Sequence, residues 1–181
     1  MKKIEPKKAI VLFLLIVYFL LAASKYKIFQ KPSKNPISSD RIQARCLRVV
    51  DGDTIEVAFI GENKLSETKE KIRFIGVNTP ELNTNNGKKA EYWAKEATAF
   101  TKKELEGKYI ELSFDDVSSK KDKYERFLCY VWIDDYLFNK ILLESGNAYY
   151  YPNFKFNKKY MTLFEQAENY ARNEKAGLWN E

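Results

Sequence analysis

The sequence predicts an α+β domain that is mainly β, a five-stranded Greek-key barrel with three packed helices. Two observations predict it: short β-branched and aromatic runs recur from residue 45 onward, and one helical stretch separates the third run from the fourth. The strand segments are 47–50, 54–60, 71–75, 109–114 and 128–133, and most alternate in polarity, as around Ile55, Val57 and Phe59. Between the third and fourth, Ala90, Trp93, Ala94, Ala97, Phe100 and Thr101 recur at helical spacing. Phe138, Ile141 and Leu142 begin a second helix that Gly146 can cap. Tyr160, Leu163, Phe164, Ala167, Tyr170 and Ala171 form the stripe of a third, which stops at Gly177. Three strands, a helix, two strands and two helices in this order suit the small barrel called the OB-fold.

A chain of 181 residues with 45% hydrophobic and 15% aromatic content can bury one full core. Ahead of the domain, Met1 to Lys8 is basic, Ala9 to Ala23 is uninterrupted apolar, and Ala22-Ala23-Ser24 supplies small residues for a signal peptidase. Residues 1–24 therefore read as a cleaved signal peptide or a retained N-terminal membrane anchor, the apolar run being shorter than the roughly 20 residues of a comfortable span. Residues 25–43 read as a flexible linker, rich in Lys, Ser, Asn and Pro, and residues 44–181 as the folded domain. The expected location is exported, secreted or in the cell envelope, with membrane contact confined to 9–23. A net charge of +6 hints at an acidic partner. Half of it comes from Lys2, Lys3, Lys7 and Lys8 against Glu5, so charge alone is a weak argument for a polyanionic substrate.

Histidine is absent, which excludes every mechanism that uses imidazole as base, acid, nucleophile or metal ligand. Catalysis must run on carboxylates, arginines, hydroxyls or a metal held by oxygen. Cys46 and Cys129 lack the spacing of a zinc site. They are either a disulfide formed after export or two lone buried thiols.

Asp51-Gly52-Asp53-Thr54 falls where the first strand turns into the second. Asp-Gly is a strong turn signal, yet the turn does not need the second carboxylate, Asp53. Asn78-Thr79-Pro80-Glu81 ends the third strand and reads alone as a loop, with Pro80 fixing φ. Together the two segments offer a carboxylate, an amide oxygen and a backbone carbonyl, with Glu81 nearby, an all-oxygen set of the kind Ca²⁺ prefers. Arg73 lies in the same third strand at opposite parity to Ile72 and Phe74, and its planar donors suit a phosphate.

Five segments in order, 50–54, 73–81, 96–103, 122–126 and 176–179, make the chain from about residue 44 to 181 resemble the staphylococcal nuclease, or thermonuclease, family. The resemblance implies an OB-fold barrel, dependence on Ca²⁺, and cleavage of single- or double-stranded DNA and RNA leaving 3′-phosphates. Carried over by position, Asp53, Asn78 and the Thr79 carbonyl match metal ligands, with Asp51 in support. Glu81 matches the carboxylate that activates or orients the attacking water, and Arg73 and Arg126 match the arginines that offset developing phosphoryl charge. Lys123 and Tyr124 resemble nucleotide-contacting positions. Tyr149, Tyr150 and Tyr151 lie where the family has base-stacking tyrosines, and the local spacing does not fix which matches which; Tyr149 and Tyr151 are taken as the substrate-contacting pair.

Two departures stand out. Asn78 replaces the usual Asp, removing one negative charge from the metal site, and Glu125 stands where Gly is usual, directly before Arg126. The expected protein is a monomeric nuclease. The alternatives are a catalytically silent OB-fold module that binds nucleic acid, and a surface-displayed domain with a protein partner.

Overall fold

The computed structural model describes residues 41–61, 64–82 and 89–180. The leader and most of the linker expected from the sequence fall outside them. Among the described residues no helix is long and apolar enough to cross a membrane.

Five strands close a barrel: β1 (Ile42–Asp51), β2 (Thr54–Gly61), β4 (Glu70–Phe74), β6 (Tyr109–Ser113) and β7 (Phe127–Ile133). Four two-residue strands accompany them, β3 (Lys64–Leu65), β5 (Val77–Asn78), β8 (Tyr136–Leu137) and β9 (Tyr149–Tyr150). The order around the barrel is β1-β6-β7-β4-β2, and β2 returns to β1. β1 can pair on both sides because it is long and bends: its register against β2 shifts between Cys46 and Arg48 and again between Val49 and Asp51. Such bulges sharpen local twist, which a small closed barrel requires. The closed five-stranded barrel with helices is the architecture expected from the sequence, although β1 starts at Ile42, inside the segment assigned to the linker.

Three helices pack on the barrel: α1 (Ala94–Leu105), α2 (Phe138–Glu144) and α3 (Lys158–Asn173). α1 packs on β1 and buries Ala94, Ala97, Thr101 and Leu105, the two alanines allowing close approach. It begins at Ala94 rather than Ala90, because Trp93 takes left-handed backbone angles, φ 66°, and starts the helix from there. α2 lies between β7 and α3, which is why β7 is buried on both faces from Leu128 to Trp132. Asn139 of α2 stitches this layer: its Oδ1 accepts from Val131 N at 2.9 Å and its Nδ2 donates to Ile75 O at 2.9 Å. The last helix ends at Asn173, ahead of Gly177, which opens a short 3₁₀ turn (Gly177–Trp179). Gly146 and Gly177 meet there so closely that a Cβ on Gly146 would lie 2.0 Å from the Ala176 oxygen.

Cys46 and Cys129 are separate, fully buried thiols rather than a disulfide, and burial pushes both up to about 12.

Candidate active site

The barrel places three chain segments side by side. Thr54 of β2 is opposite Arg73 of β4, and β4 runs parallel to β7 with Ile72 opposite Phe127, so Arg126 arrives beside the first two. Residues Gly52 and Asp53 form the tip of the β1–β2 hairpin. Thr101 Oγ1 of α1 holds that tip from behind, donating to Gly52 O at 2.7 Å, and Phe74 N donates to Asp53 O at 3.0 Å. Gly52 is required by proximity rather than by its backbone angle. A Cβ there would lie 2.7 Å from two side-chain atoms of Thr79, so the hairpin tip and the 78–81 loop interlock.

Asp53 is at the centre and 4% exposed. Its Oδ2 accepts from Thr79 N at 2.9 Å and pairs with Arg73 Nη2 at 3.0 Å, while its Oδ1 accepts from Thr54 Oγ1 at 3.1 Å. Arg73, equally buried, donates from Nη1 to the carbonyls of Phe74 and Val77, both at 2.7 Å, and from Nη2 to Asn78 Oδ1 at 2.9 Å. A phosphate contact by either terminal nitrogen of Arg73 therefore requires exchange of one of these bonds. Arg126 is more open. Its Nε and Nη2 hold Asp122 Oδ2 at 2.8 and 2.7 Å, and Nη1 donates to Thr54 Oγ1 at 3.3 Å. Thr54 thus links Arg126 to Asp53 and, through it, to Arg73.

The carboxylates feel one another. The carboxyl of Asp51 is pushed up to about 7, by burial first and then by the neighbouring charge of Asp53. Glu81, at the exposed rim, is also raised, by partial burial, then by Asp53 and Glu91. Glu91 and Glu81 are clasped in both directions: Glu81 N donates to Glu91 Oε2 at 2.9 Å, and Glu91 N donates to Glu81 O at 3.0 Å.

The oxygens of Asp53 and Asn78 converge on a single point, which the Arg73 Nη2 cation marks. Carboxylate and amide oxygens gathered about a positive charge, with further acids raised by mutual repulsion, are donors that fit a hard divalent cation. Among the described residues no three acidic, His or Cys side chains form a cage, so such an ion would lean on the amide and carbonyl oxygens beside Asp53.

Lys123 and Tyr124 are exposed on the turn that carries Arg126, with Lys123 Nζ 5.0 Å from the Tyr124 ring centre and Arg126 Cζ 5.4 Å from it. Tyr149 lies opposite Asn78 in the β5·β9 pair, with its ring edge-on to Trp179 at 5.3 Å. Tyr151 N donates to Gly76 O at 2.9 Å, and its ring packs on Phe154. Asp53, Arg73, Asn78, Thr79 and Arg126 are thus joined by direct bonds or through Thr54, Tyr149 flanks Asn78, and Lys123 and Tyr124 share the turn of Arg126. Glu125 points away: its side chain is 81% exposed and pairs with Lys121 Nζ at 3.2 Å. Its φ of 63° explains why glycine suits the position.

Sequence reasoning missed Thr54 as a bridge, Asp122 as the partner of Arg126, and Glu91 as the clasp on Glu81. Only Asp122 carried a local signal, an Asp opening a tight turn four residues before an arginine.

The profile described as staphylococcal nuclease homologue matches residues 71–181. The chain is 40% identical over 134 residues to a thermonuclease of Staphylococcus intermedius, covering 73% of each. The chain belongs to the staphylococcal nuclease homologue family. Within that family it is also similar to a thermonuclease of Staphylococcus hyicus, 32% identical over 183 residues and 99% of each chain. An endonuclease of Bacillus subtilis, YncB, is 31% identical over 133 residues, which is 74% of this chain and 59% of that one. The profile starts at Lys71 and so leaves out the Asp51-Gly52-Asp53 tip, whereas the alignment with the S. hyicus enzyme spans nearly the whole chain.

Proposed function

We propose that this chain is an exported, monomeric, Ca²⁺-dependent nuclease that hydrolyses DNA and RNA to 3′-phosphates. One observation carries the reading: Asp53, Asn78 and Thr79 are drawn together by Arg73 and the Asp53–Thr79 bond, with Glu81 at the rim and Arg126 alongside. Asp53, Asn78 and the Thr79 carbonyl would hold Ca²⁺, which when bound supplies Lewis-acid stabilisation of a phosphoryl oxygen.

The chain's own groups account for the rest. Glu81, raised by partial burial and by the neighbouring Asp53 and Glu91, and exposed at the rim, is suited to take a proton from water as the water oxygen bonds to phosphorus. The bond to the 5′ oxygen breaks in line, leaving a 5′-hydroxyl and a 3′-phosphate. Arg126 offsets the charge on the transferring group, an interaction worth several kcal/mol in comparable sites. It can turn to phosphate without losing its anchor because Asp122 holds it by a backbone bond as well, Arg126 N to Asp122 Oδ1 at 3.0 Å. Arg73 acts from within by orienting Asp53 and Asn78. Lys123, Tyr124, Tyr149 and Tyr151 line the approach of the polymer, and residues 1–24 direct export or hold the domain at a membrane.

The test is digestion of labelled DNA and RNA with Ca²⁺ titrated up from excess chelator. Wild type should cut only with Ca²⁺, Glu81→Ala should lose most of the rate, and Asn78→Asp should need less Ca²⁺. Intact substrate throughout would sink the reading. A second reading, a silent nucleic-acid-binding module, is favoured by the commitment of Asn78 Oδ1 to Arg73; it predicts that Glu81→Ala and wild type bind alike and neither cuts.

A further inference from the structure

An exposed tyrosine backed by a half-buried tryptophan, neither of them part of the machinery above, adjoins the segment clasped to Glu81. Tyr92 follows Glu91, which is clasped to Glu81 in both directions. Tyr92 is 57% exposed, and its ring packs against Trp93 with centroids 5.7 Å apart and planes inclined at 51°. Trp93 is fixed from two sides. Its backbone is held in the left-handed region where the helix α1 begins, an uncommon state for a bulky side chain. Its Nε1 donates to Asn147 Oδ1 at 2.9 Å, and Asn147 Nδ2 is tied in turn to Ser145 Oγ at 2.9 Å. Asn147 lies two residues before Tyr149, which sits opposite Asn78. The pair is therefore anchored both to the segment that carries Glu81 and to the segment that flanks Asn78.

We propose that Tyr92, backed by Trp93, is a stacking platform for an unpaired base of single-stranded nucleic acid, separate from the Tyr124 and Tyr149–Tyr151 positions. The proposal rests on the nuclease reading. An open ring face, stiffened by a second ring, offers a base a flat apolar surface while losing little side-chain freedom on binding. Every base has a π-face, so such a platform is tolerant of sequence. Because Tyr92 is on the surface, replacing it leaves the fold intact.

The test is binding by anisotropy of a short labelled oligothymidylate and a short oligouridylate to the full chain in a Glu81→Gln background, with and without Tyr92→Ala. Tyr92→Ala should weaken binding by about ten-fold, within the range of one base–aromatic stack. Tyr92→Phe should bind as the parent does. An abasic residue moved along the oligothymidylate should reveal one position where wild-type Tyr92 loses the same factor and Tyr92→Ala loses nothing more. With Glu81 intact, Tyr92→Ala should raise KM for the oligonucleotide and leave kcat on a dinucleotide unchanged. A loss confined to one polymer assigns the platform to that polymer and supports the proposal. Equal binding by Tyr92→Ala and the parent, or a loss that adds at every abasic position, overturns it. Binding reads the platform and cleavage by wild type reads the nuclease, so the two ideas fail separately.

Discussion

The interlock between the hairpin tip and the 78–81 loop makes Gly52→Ala an informative perturbation. The new Cβ would lie 2.7 to 2.8 Å from Thr79 Cγ2, Oγ1 and Cβ, where ordinary contact needs about 3.5 Å or more. Thr79 is buried and β-branched, so it cannot rotate out of the way. The two loops must either carry the strain or move apart by nearly 1 Å, which would stretch the Asp53 Oδ2 to Thr79 N bond from 2.9 Å past useful length. Overpacking costs about 1–3 kcal/mol, and loss of a hydrogen bond to a charged group costs a similar amount. The molecule takes the cheaper course. Gly52 has no positive φ, so alanine itself is unstrained, and its smaller unfolded-state entropy returns about 0.4–1 kcal/mol. The net expectation is a loss of about 1–2 kcal/mol in urea denaturation, measured in chelator so that metal binding does not enter. Thr79→Gly removes all three clashing atoms, so in that background Gly52→Ala should cost nothing or stabilise slightly. Thr79→Ser keeps Cβ and Oγ and should not rescue. An unchanged cost of Gly52→Ala in the Thr79→Gly background would refute the interlock.

Glu125→Gly relieves a left-handed residue at about 1–2 kcal/mol, against the loss of an exposed ion pair with Lys121 and the greater freedom of unfolded glycine; thermal melts should show a gain of about 0.5 kcal/mol. The carboxyl of Asp122 is lowered: burial alone would raise it, but hydrogen bonds from the Arg126 side chain and the Arg126 and Tyr124 amides outweigh burial. A lowered carboxylate contributes stability above its unfolded value of about 3.9 and loses it as pH falls through the folded value, so Asp122→Asn should destabilise at neutral pH and converge on wild type in acid. A cost that did not shrink between neutral and acid pH would exclude the charge as its source. The Cys46 and Cys129 thiols, buried and pushed up to about 12, should resist a thiol-specific reagent in native buffer and react at once in denaturant, with no effect of reductant on stability.

What the sequence made legible was local. Ile55 and Val57 announced a strand because side chains alternate across a sheet, and Ala97 and Thr101 announced a helix face because they stack every fourth residue. Trp93 obeyed the same spacing and still fell outside the helix, since a left-handed backbone leaves no periodic trace. Asp-Gly signalled a turn at Gly52 for the right residue but an incomplete reason, because the closeness of Thr79 is a tertiary fact. The parallel pairing of β4 with β7 joins segments more than fifty residues apart, and with it the bridge from Arg126 through Thr54 to Asp53. Likewise the bond between Glu81 and Glu91 joins residues ten apart in sequence and leaves no local signal. The resemblance to a known family reached these residues as isolated positions and could not supply their bonds.

Asn78 gains meaning from Arg73. At this barrel end the acids Asp51, Asp53, Glu81, Glu91 and Asp122 outnumber the two arginines, and Asp51 is pushed up to about 7, by burial first and then by the charge of Asp53. A group raised in this way stabilises the fold below its unfolded value near 3.9, and that contribution disappears as pH rises through about 7. An aspartate at position 78 would add a further acid beside Asp53 and push Asp51 and Glu81 higher still. The amide avoids the added charge and still offers its Oδ1 to Arg73. On the calcium reading proposed above the consequence has two opposite signs: Asn78→Asp should lower stability in chelator at alkaline pH and recover it when Ca²⁺ is added, and a variant as stable as wild type in chelator would refute the charge argument.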